Sequence, residues 1–217
     1  MPRIQSITLE VPAVAVARDF YAAAFGLGAQ LQLRASDAQT RGFRGFTLSL
    51  VVAQAATVNE LVRTAVDAGA TQLKPAKKQF WGGYSGVVQA PDGTIWKVAT
   101  SAKKDTGPAT RQIDGIVLLL GVGDMARSKE FYADRGLIVA KSYGSKYVEF
   151  DAPADAIKLA LYKRGGLAKD AGVAGEGSGS HRLAIGSDAG SFVDPDDFAW
   201  ERSSVVDGSE TVSSVHG

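Results

Sequence analysis

The stretch that decides the fold is residues 7–27, which read ITLEVPAVAVARDFYAAAFGL. Apolar and polar residues alternate over its first five positions, and this period of two predicts a strand with one buried face. The rest predicts a helix over residues 12–25 that buries Phe20 and Tyr21. Residues 118–137 read LLLGVGDMARSKEFYADRGL and repeat the strand, the turn, the Phe-Tyr helix and the closing Gly-Leu. The chain therefore contains an internal repeat.

A second pair of matching segments closes the two halves of the chain. Residues 91–97 read PDGTIWK and residues 195–201 read PDDFAWE, so Trp96 aligns with Trp200. Each Pro-Asp pair predicts a turn before a last strand, and both tryptophans are expected to pack against the helices. Two ordered matches in each half indicate a duplicated unit.

The polar stretch between the halves predicts the domain boundary. Residues 101–112 read SAKKDTGPATRQ and contain Gly-Pro, which is typical of a linker. We therefore expect a first domain over residues 1–100 and a second, abbreviated domain over residues 113–202. The serine-rich residues 203–217 predict a disordered tail.

The two halves are expected to be incomplete in different ways. In the first half, the strand at residues 46–52 precedes a helix with Thr57 as its cap and Glu60 in capping-box register. The first half lacks a strand hairpin after its second strand. In the second half, residues 171–180 predict a flexible loop before a strand at residues 181–186, and the chain then passes almost directly to Pro195 with no room for a second helix. We expect the halves to complete each other in one body, with the better-formed cleft in the first half.

Composition excludes several classes of function. The 217 residues carry a net charge of +1 with no basic patch, so nucleic acid is not an expected partner. The absence of cysteine excludes disulfides and thiolate metal sites. No apolar run approaches the roughly 20 residues that cross a bilayer, and the N-terminus lacks the pattern of a signal peptide. The sequence therefore predicts a cytoplasmic protein without a membrane partner.

The repeated unit, closing on Pro-Asp-Gly-x-x-Trp, resembles the vicinal oxygen chelate superfamily. That superfamily includes glyoxalase I, extradiol dioxygenases, fosfomycin-resistance transferases and bleomycin-binding proteins. The resemblance covers about residues 3–202 and implies an α+β fold, in which tandem βαβββ units form two half-barrel, glyoxalase-like domains. It does not select an activity, because this scaffold carries many functions.

Most catalytic members of this superfamily hold a divalent metal with a His or Gln on the first strand, a His on the middle strand and a Glu on the last. Carried onto this chain, these positions fall on Ser6 and Lys97 in the first half, and on Val117, His181 and Glu201 in the second. Serine and valine are poor ligands, and a lysine at the carboxylate position repels a cation. The resemblance therefore implies no metal and no cofactor, with His181 and Glu201 as the ligands if one is held.

The same cleft positions and a glycine-rich aromatic segment give the candidate ligand contacts. Lys97 is expected to anchor an anionic or carbonyl-bearing ligand, or else to form a structural ion pair with Glu10. Trp81 and Tyr84 form an aromatic wall for a flat ligand or belong to the core. The candidate ligand-binding residues are Ser6, Thr8, Trp81, Tyr84, Lys97, His181 and Glu201.

Three functions are weighed on these residues. The first is a metal-independent protein that binds a small molecule, such as an antibiotic or a hydrophobic metabolite, as in the bleomycin-binding branch. The alternative is a metal-dependent lyase, isomerase or dioxygenase that uses His181 and Glu201 in the second cleft. A lyase of the glyoxalase I type is not expected, because most metal-ligand positions lack ligands, and no catalytic residue is assigned. The third is a structural role with filled clefts; homodimerisation stays open.

Overall fold

A computed structural model describes residues 2–80 and 82–203. The candidate Trp81 and nearly all of the expected tail lie outside these residues. In the first half, the elements are β1 (Ile4–Val11), α1 (Val14–Ala24), β2 (Leu31–Ala35), β3 (Thr40–Gly42), β4 (Phe46–Val51), α2 (Ala55–Asp67), β5 (Thr71–Lys78), β6 (Tyr84–Gln89) and β7 (Ile95–Thr100). In the second half, they are β8 (Gly115–Val122), α3 (Met125–Asp134), β9 (Val139–Ser142), β10 (Tyr147–Phe150), β11 (Lys158–Lys163), α4 (Arg164–Ala171), β12 (Gly177–Gly179), β13 (Leu183–Ser187), β14 (Phe192–Val193) and β15 (Ala199–Arg202). Within the described ranges, no helix is long and apolar enough to cross a membrane.

The larger sheet has eight strands in the order β5-β6-β7-β4-β8-β11-β10-β9. Its centre is the antiparallel pair of β4 and β8, in which Leu48 lies opposite Leu118. Each of these two strands begins one complete βαβββ unit. The units are β4-α2-β5-β6-β7 and β8-α3-β9-β10-β11, and they extend from the central pair to opposite edges of the sheet. The two units come from different halves of the chain. Both halves therefore build this sheet, and the expectation that the first half supplies the better-formed cleft stays a prediction.

The smaller sheet also takes strands from both halves, in the order β14-β15-β13-β1-β2. Strand β1 runs antiparallel to β13, with Ile7 opposite Ile185, and β13 runs parallel to β15. The expected α+β fold of βαβββ units is confirmed, and the halves complete each other's sheets. A domain boundary drawn along the chain stays a prediction, since neither sheet belongs to one half.

One hydrophobic cluster joins the two sheets to α1, α2 and α3. Ile7 and Leu9 of the smaller sheet and Leu48 and Leu118 of the larger sheet are all buried in it. The burial of each such side chain contributes about 1.5–3 kcal/mol to stability. Because the alternate residues of these strands point to the opposite face, the polar positions of β1 and β4 face away from the cluster.

The Phe-Tyr helices and Pro-Asp turns recur together because they bind each other. The Tyr21 hydroxyl donates a hydrogen bond to Asp92 Oδ2 at 2.7 Å. In the second half, the Tyr132 hydroxyl donates to Asp194. Asp196, which aligns with Asp92 in the sequence, instead accepts hydrogen bonds from a serine hydroxyl of α3 and from the backbone just before that helix. The structural equivalent of Asp92 is therefore two residues earlier than the alignment places it.

Helix α2 corrects the expected cap. It begins at Ala55, so Thr57 lies inside its first turn rather than at its N-cap. The backbone amide of Ala56 donates instead to Asp105 Oδ1 at 2.9 Å, a carboxylate from the linker. Glu60 forms an ion pair with Arg63 at 2.7 Å. A cap 49 residues away in the chain leaves no local pattern in the sequence.

Helix α4 lies just before the expected flexible loop at residues 171–180, and strand β12 lies within it. The helix begins with Arg164 and two glycines, which have low helix propensity and hide it from a periodicity search. It ends at Gly172, whose φ of 84° is the left-handed conformation that glycine favours at helix ends. Strand β12 then pairs with β3. The second half therefore has a second helix after all, although not between β13 and β15.

Candidate functional site

The open face of the larger sheet carries one row of four side chains across its centre. Lys97 lies opposite Ser49, Ser49 opposite Val117, and Val117 opposite Lys158. In the pseudo-symmetric pair of units, Lys158 is the counterpart of Lys97 and Ser49 is the counterpart of Val117. Lysines thus occupy both ends of this row. Lys97 stands where the resemblance places a carboxylate in the first half, and Glu201 holds that position in the second. This row offers a metal no imidazole and no carboxylate.

Both lysines of this row bind carboxylates of the chain itself. Lys97 Nζ lies 2.8 Å from Asp170 Oδ2, near the end of α4. Lys158 Nζ lies 3.3 Å from Glu149 Oε1. The expected structural partner of Lys97 is therefore wrong, since Glu10 belongs to the smaller sheet. Because its charge is already matched, Lys97 is a weak candidate for anchoring a ligand.

Helix α4 covers part of the open face of the larger sheet. Its Leu167, Ala168 and Ala171 are buried in a second hydrophobic cluster with Val87 and Ile95 of β6 and β7. The carbonyl oxygens at its end accept hydrogen bonds from Lys74 of β5, at 2.7 Å each. The cleft of the larger sheet is therefore filled here by the chain itself.

The open face of the smaller sheet brings together Ser6 and Glu201 through β13. Ser6 lies opposite Gly186, and Gly186 lies opposite Glu201. A Cβ at residue 186 would stand 2.2 Å from Ser6 Oγ, so a larger residue there would force the Ser6 side chain to move. Ser6 and Thr8 are buried at 3% and 8% exposure. Neither hydroxyl is open enough to serve as a principal ligand contact.

Arg34 of β2 occupies the space between two carboxylates on this face. Its guanidinium donates from Nη1 and Nη2 to the two oxygens of Glu201, at 3.1 and 2.9 Å, and from Nη2 to Glu10 at 2.7 Å. Hydrogen bonds from Glu201 and then Glu10 raise the pKa of the Arg34 guanidinium above its ordinary value. Both oxygens of Glu201 are therefore already bound to a cation that belongs to the protein.

His181 has no nitrogen available for a metal in this arrangement. Its Nδ1 faces the carbonyl oxygen of Arg44, and its Nε2 lies 3.1 Å from the carbonyl oxygen of Asp196. The ring also stacks on Phe198, with centroids 4.0 Å apart. A ligating imidazole must aim a nitrogen lone pair at the metal. Across residues 2–80 and 82–203, no three His, Asp or Glu side chains come together as a metal site would require.

Tyr84 lies apart from the other candidates. Its hydroxyl is 2.9 Å from Asn59 Oδ1 of α2 and 3.1 Å from the carbonyl oxygen of Ala76. The side chain packs against the main hydrophobic cluster. Tyr84 therefore joins α2 to the hairpin of β5 and β6, on the core side of the sheet.

A pocket of about 430 Å³ opens at the end of the smaller sheet, where β1, β13 and β15 meet the β3-β12 pair. Residues 177–180 form one wall. The charged and titratable residues that line it are Glu10, Arg44, Arg164, His181, Arg182 and Asp197. We call this space the arginine pocket, after Arg44, Arg164 and Arg182. Its volume lies within the usual range for small-molecule sites.

Comparison with solved structures identifies the architecture. Glyoxalase I from Zea mays superposes with a TM-score of 0.63 and 17% sequence identity, over 92% of this chain and 91% of that chain. This chain has the glyoxalase I fold. A putative dioxygenase from Bacillus subtilis matches with a TM-score of 0.53 and 15% identity, over 90% of this chain and 71% of that chain. No protein-family model and no curated protein matches the sequence.

The glyoxalase fold regroups the candidate residues. Lys97 and Val117 lie in one row of the larger sheet, while Ser6 and Glu201 share the smaller sheet. Of the candidates that the structure describes, His181 is the one that lines the arginine pocket. The sequence does not predict this arginine cluster, because its three members are spread from residue 44 to residue 182. Only the adjacent pair His181-Arg182 hints at them in the sequence.

Proposed function

We propose that this protein of the glyoxalase fold binds a small molecule in the arginine pocket without the help of a metal. One observation supports this function best. The side chains nearest to a metal-ligand set are bound within the protein, Glu201 by Arg34 and His181 by two carbonyl oxygens. Beside them, about 430 Å³ of open space is lined by polar and charged residues.

This lining refines the kind of ligand expected from the resemblance. A purely hydrophobic metabolite would bury the charges of Arg164 and Arg182 without placing an opposite charge beside them, which costs free energy. A polar small molecule, among which an antibiotic remains a candidate, suits the pocket better. A purely structural protein is disfavoured as well, because this pocket is open while the cleft of the larger sheet is partly filled.

The test combines metal analysis with ligand screening on protein purified without a histidine tag. We expect less than stoichiometric metal, and we expect compounds that raise the melting temperature equally with and without a chelator. The competing function is a metal-dependent lyase or dioxygenase. Stoichiometric divalent metal that is lost in Glu201→Ala, but kept in the control Glu130→Ala, would establish that alternative. Glu130 is an exposed acidic residue on α3.

A further inference from the structure

We infer that the arginine pocket recognises an oxyanion, the carboxylate or phosphate group of a small molecule. This inference rests on the proposed function and names the chemical class of its ligand. Guanidinium groups match both anions, because their planar N–H forks can donate two parallel hydrogen bonds.

Two of the arginines are fixed in place without a carboxylate partner. Arg164 donates to the carbonyl oxygens of Gly175 and Phe43, at 3.3 and 2.7 Å. Arg182 donates from Nε and Nη2 to the carbonyl oxygen of Ala38, at 2.8 and 2.6 Å. Among the described residues, neither forms an ion pair. Backbone carbonyls thus orient both groups and leave their positive charges unmatched.

The backbone of Arg182 has an unusual conformation beside the pocket. Its φ is 51°, in the left-handed region that residues other than glycine rarely adopt. Its backbone amide donates to Ser180 Oγ at 3.0 Å, and its guanidinium is tied to the neighbouring loop. Such conformations cost free energy and concentrate at functional sites. Arg182 lines the pocket in this unfavourable backbone conformation.

Arg44 adds a third charge behind the wall. Its side chain is 6% exposed, and its Nη2 donates to the carbonyl oxygen of Asp92 and to Thr94 Oγ1 at 3.0 Å each. The Asp92 carboxylate is 3.8 Å away, and Nη1 is buried without a partner in the described part of the chain. Burial lowers the pKa of Arg44, Asp92 opposes that shift, and the charge of Arg182 lowers it further. An anion in the pocket would relieve this repulsion.

The acidic residues of the pocket do not cancel these charges. Glu10 is bound to Arg34 at 2.7 Å, outside the set of three arginines. Asp197 is exposed at the rim and pairs with none of them. The three arginines therefore outnumber the two acidic side chains that line the pocket, and neither of those two binds them.

The first test uses the wild-type protein with matched probes in titration calorimetry at low salt. Benzoate and inorganic phosphate are the anions, and benzamide is the neutral counterpart of benzoate. We expect at least one anion to bind, benzamide not to bind, and the affinity to fall as sodium chloride screens the charges. Benzoate binding alone would indicate a carboxylate ligand, and phosphate binding alone a phosphorylated one.

The second test removes one guanidinium at a time. Arg164→Gln and Arg182→Gln should each weaken anion binding by about 10- to 100-fold, the loss expected for a hydrogen bond to a charged group. The control Arg127→Gln, at an exposed site on α3, should leave it unchanged. Thermal unfolding verifies that each variant is folded. If a variant does not fold, the comparison of the anions with benzamide on the wild-type protein still tests the inference.

The outcomes separate this inference from the proposed function. If neutral compounds stabilise the protein while both anions are inert, the oxyanion inference is wrong and metal-independent binding stands. Equal anion affinity in wild type and Arg164→Gln would also overturn it. If no compound of any charge binds, both proposals fail.

Discussion

Arg34 donates hydrogen bonds to both carboxylate oxygens of Glu201, with nitrogen–oxygen distances of 3.1 and 2.9 Å. The same guanidinium reaches Glu10 at 2.7 Å. The positively charged guanidinium of Arg34 thus lies between two carboxylates that could otherwise attract a metal ion. This relationship links the fold to the proposed function, because it neutralises the last-strand carboxylate from within the chain.

The Arg34–Glu201 contact should show a measurable but small coupling. Both side chains are nearly half exposed, at 44% and 45%, so we expect a coupling free energy of at most about 1 kcal/mol. A double-mutant cycle with Arg34→Met and Glu201→Gln measures it by denaturant unfolding. The Glu60–Arg63 pair on α2 serves as a reference surface pair. A coupling of zero would show that the two-point contact does not persist in solution.

The Lys97–Asp170 pair should hold α4 against the larger sheet. Lys97→Met removes this contact, so amide hydrogens of residues 164–171 should exchange faster as the helix opens locally more often. Lys103→Met, at an exposed position in the linker, is the control. Unchanged amide hydrogen exchange in Lys97→Met would mean that the apolar contacts of α4 hold the helix on the sheet without the ion pair.

The two tyrosine–aspartate bonds should make similar contributions to stability. Tyr21→Phe and Tyr132→Phe each remove one hydroxyl and leave a buried carboxylate with one partner fewer. We expect each to lower the free energy of unfolding by about 1–3 kcal/mol. Tyr143→Phe, at a side chain that is 64% exposed, should change it by less than about 0.5 kcal/mol. Chemical denaturation decides, and a negligible loss in both buried variants would contradict the structural role of the motif.

Two acidic residues should shift stability with pH in opposite directions. Burial raises the pKa of Asp194, although bonds from Tyr132 and the backbone oppose the shift. Its contribution is therefore full below the unfolded-state pKa and is lost as pH rises through the folded value. Burial alone would raise the pKa of Glu149, but the Tyr147 hydroxyl, Lys158 and Lys141 lower it overall. Its contribution is present above the unfolded-state pKa and is lost as pH falls through the folded value.

Unfolding measured between pH 3 and pH 7 distinguishes the two signs. The stability of wild type relative to Asp194→Asn should decrease as pH rises, and that relative to Glu149→Gln should increase. Slopes of the same sign in both comparisons would contradict the opposite pKa shifts of Asp194 and Glu149.

The repeat predicted the fold because each of its segments is a local pattern of residues that occurs twice in the same order. The Phe-Tyr helices and the Pro-Asp turns are each legible within a short window, and the partners Tyr21 and Asp92 lie in the two segments that recur. The pairing of the strands could not be predicted from such local patterns. The alternation of β1 shows which side chains share a face, but not that Ser6 will lie across Gly186 from Glu201.

The sequence by itself determined the α+β repeat and the loss of most metal-ligand residues, because residue identity and periodicity are properties of the chain. Only the tertiary structure decided which candidates meet. It separated Lys97 from Glu10, set Arg34 on Glu201 and brought Arg44, Arg164 and Arg182 around one pocket. The reason is physical: these contacts join positions far apart in sequence, through strands that pair across the two halves. No local pattern of residues records which strand will lie beside which.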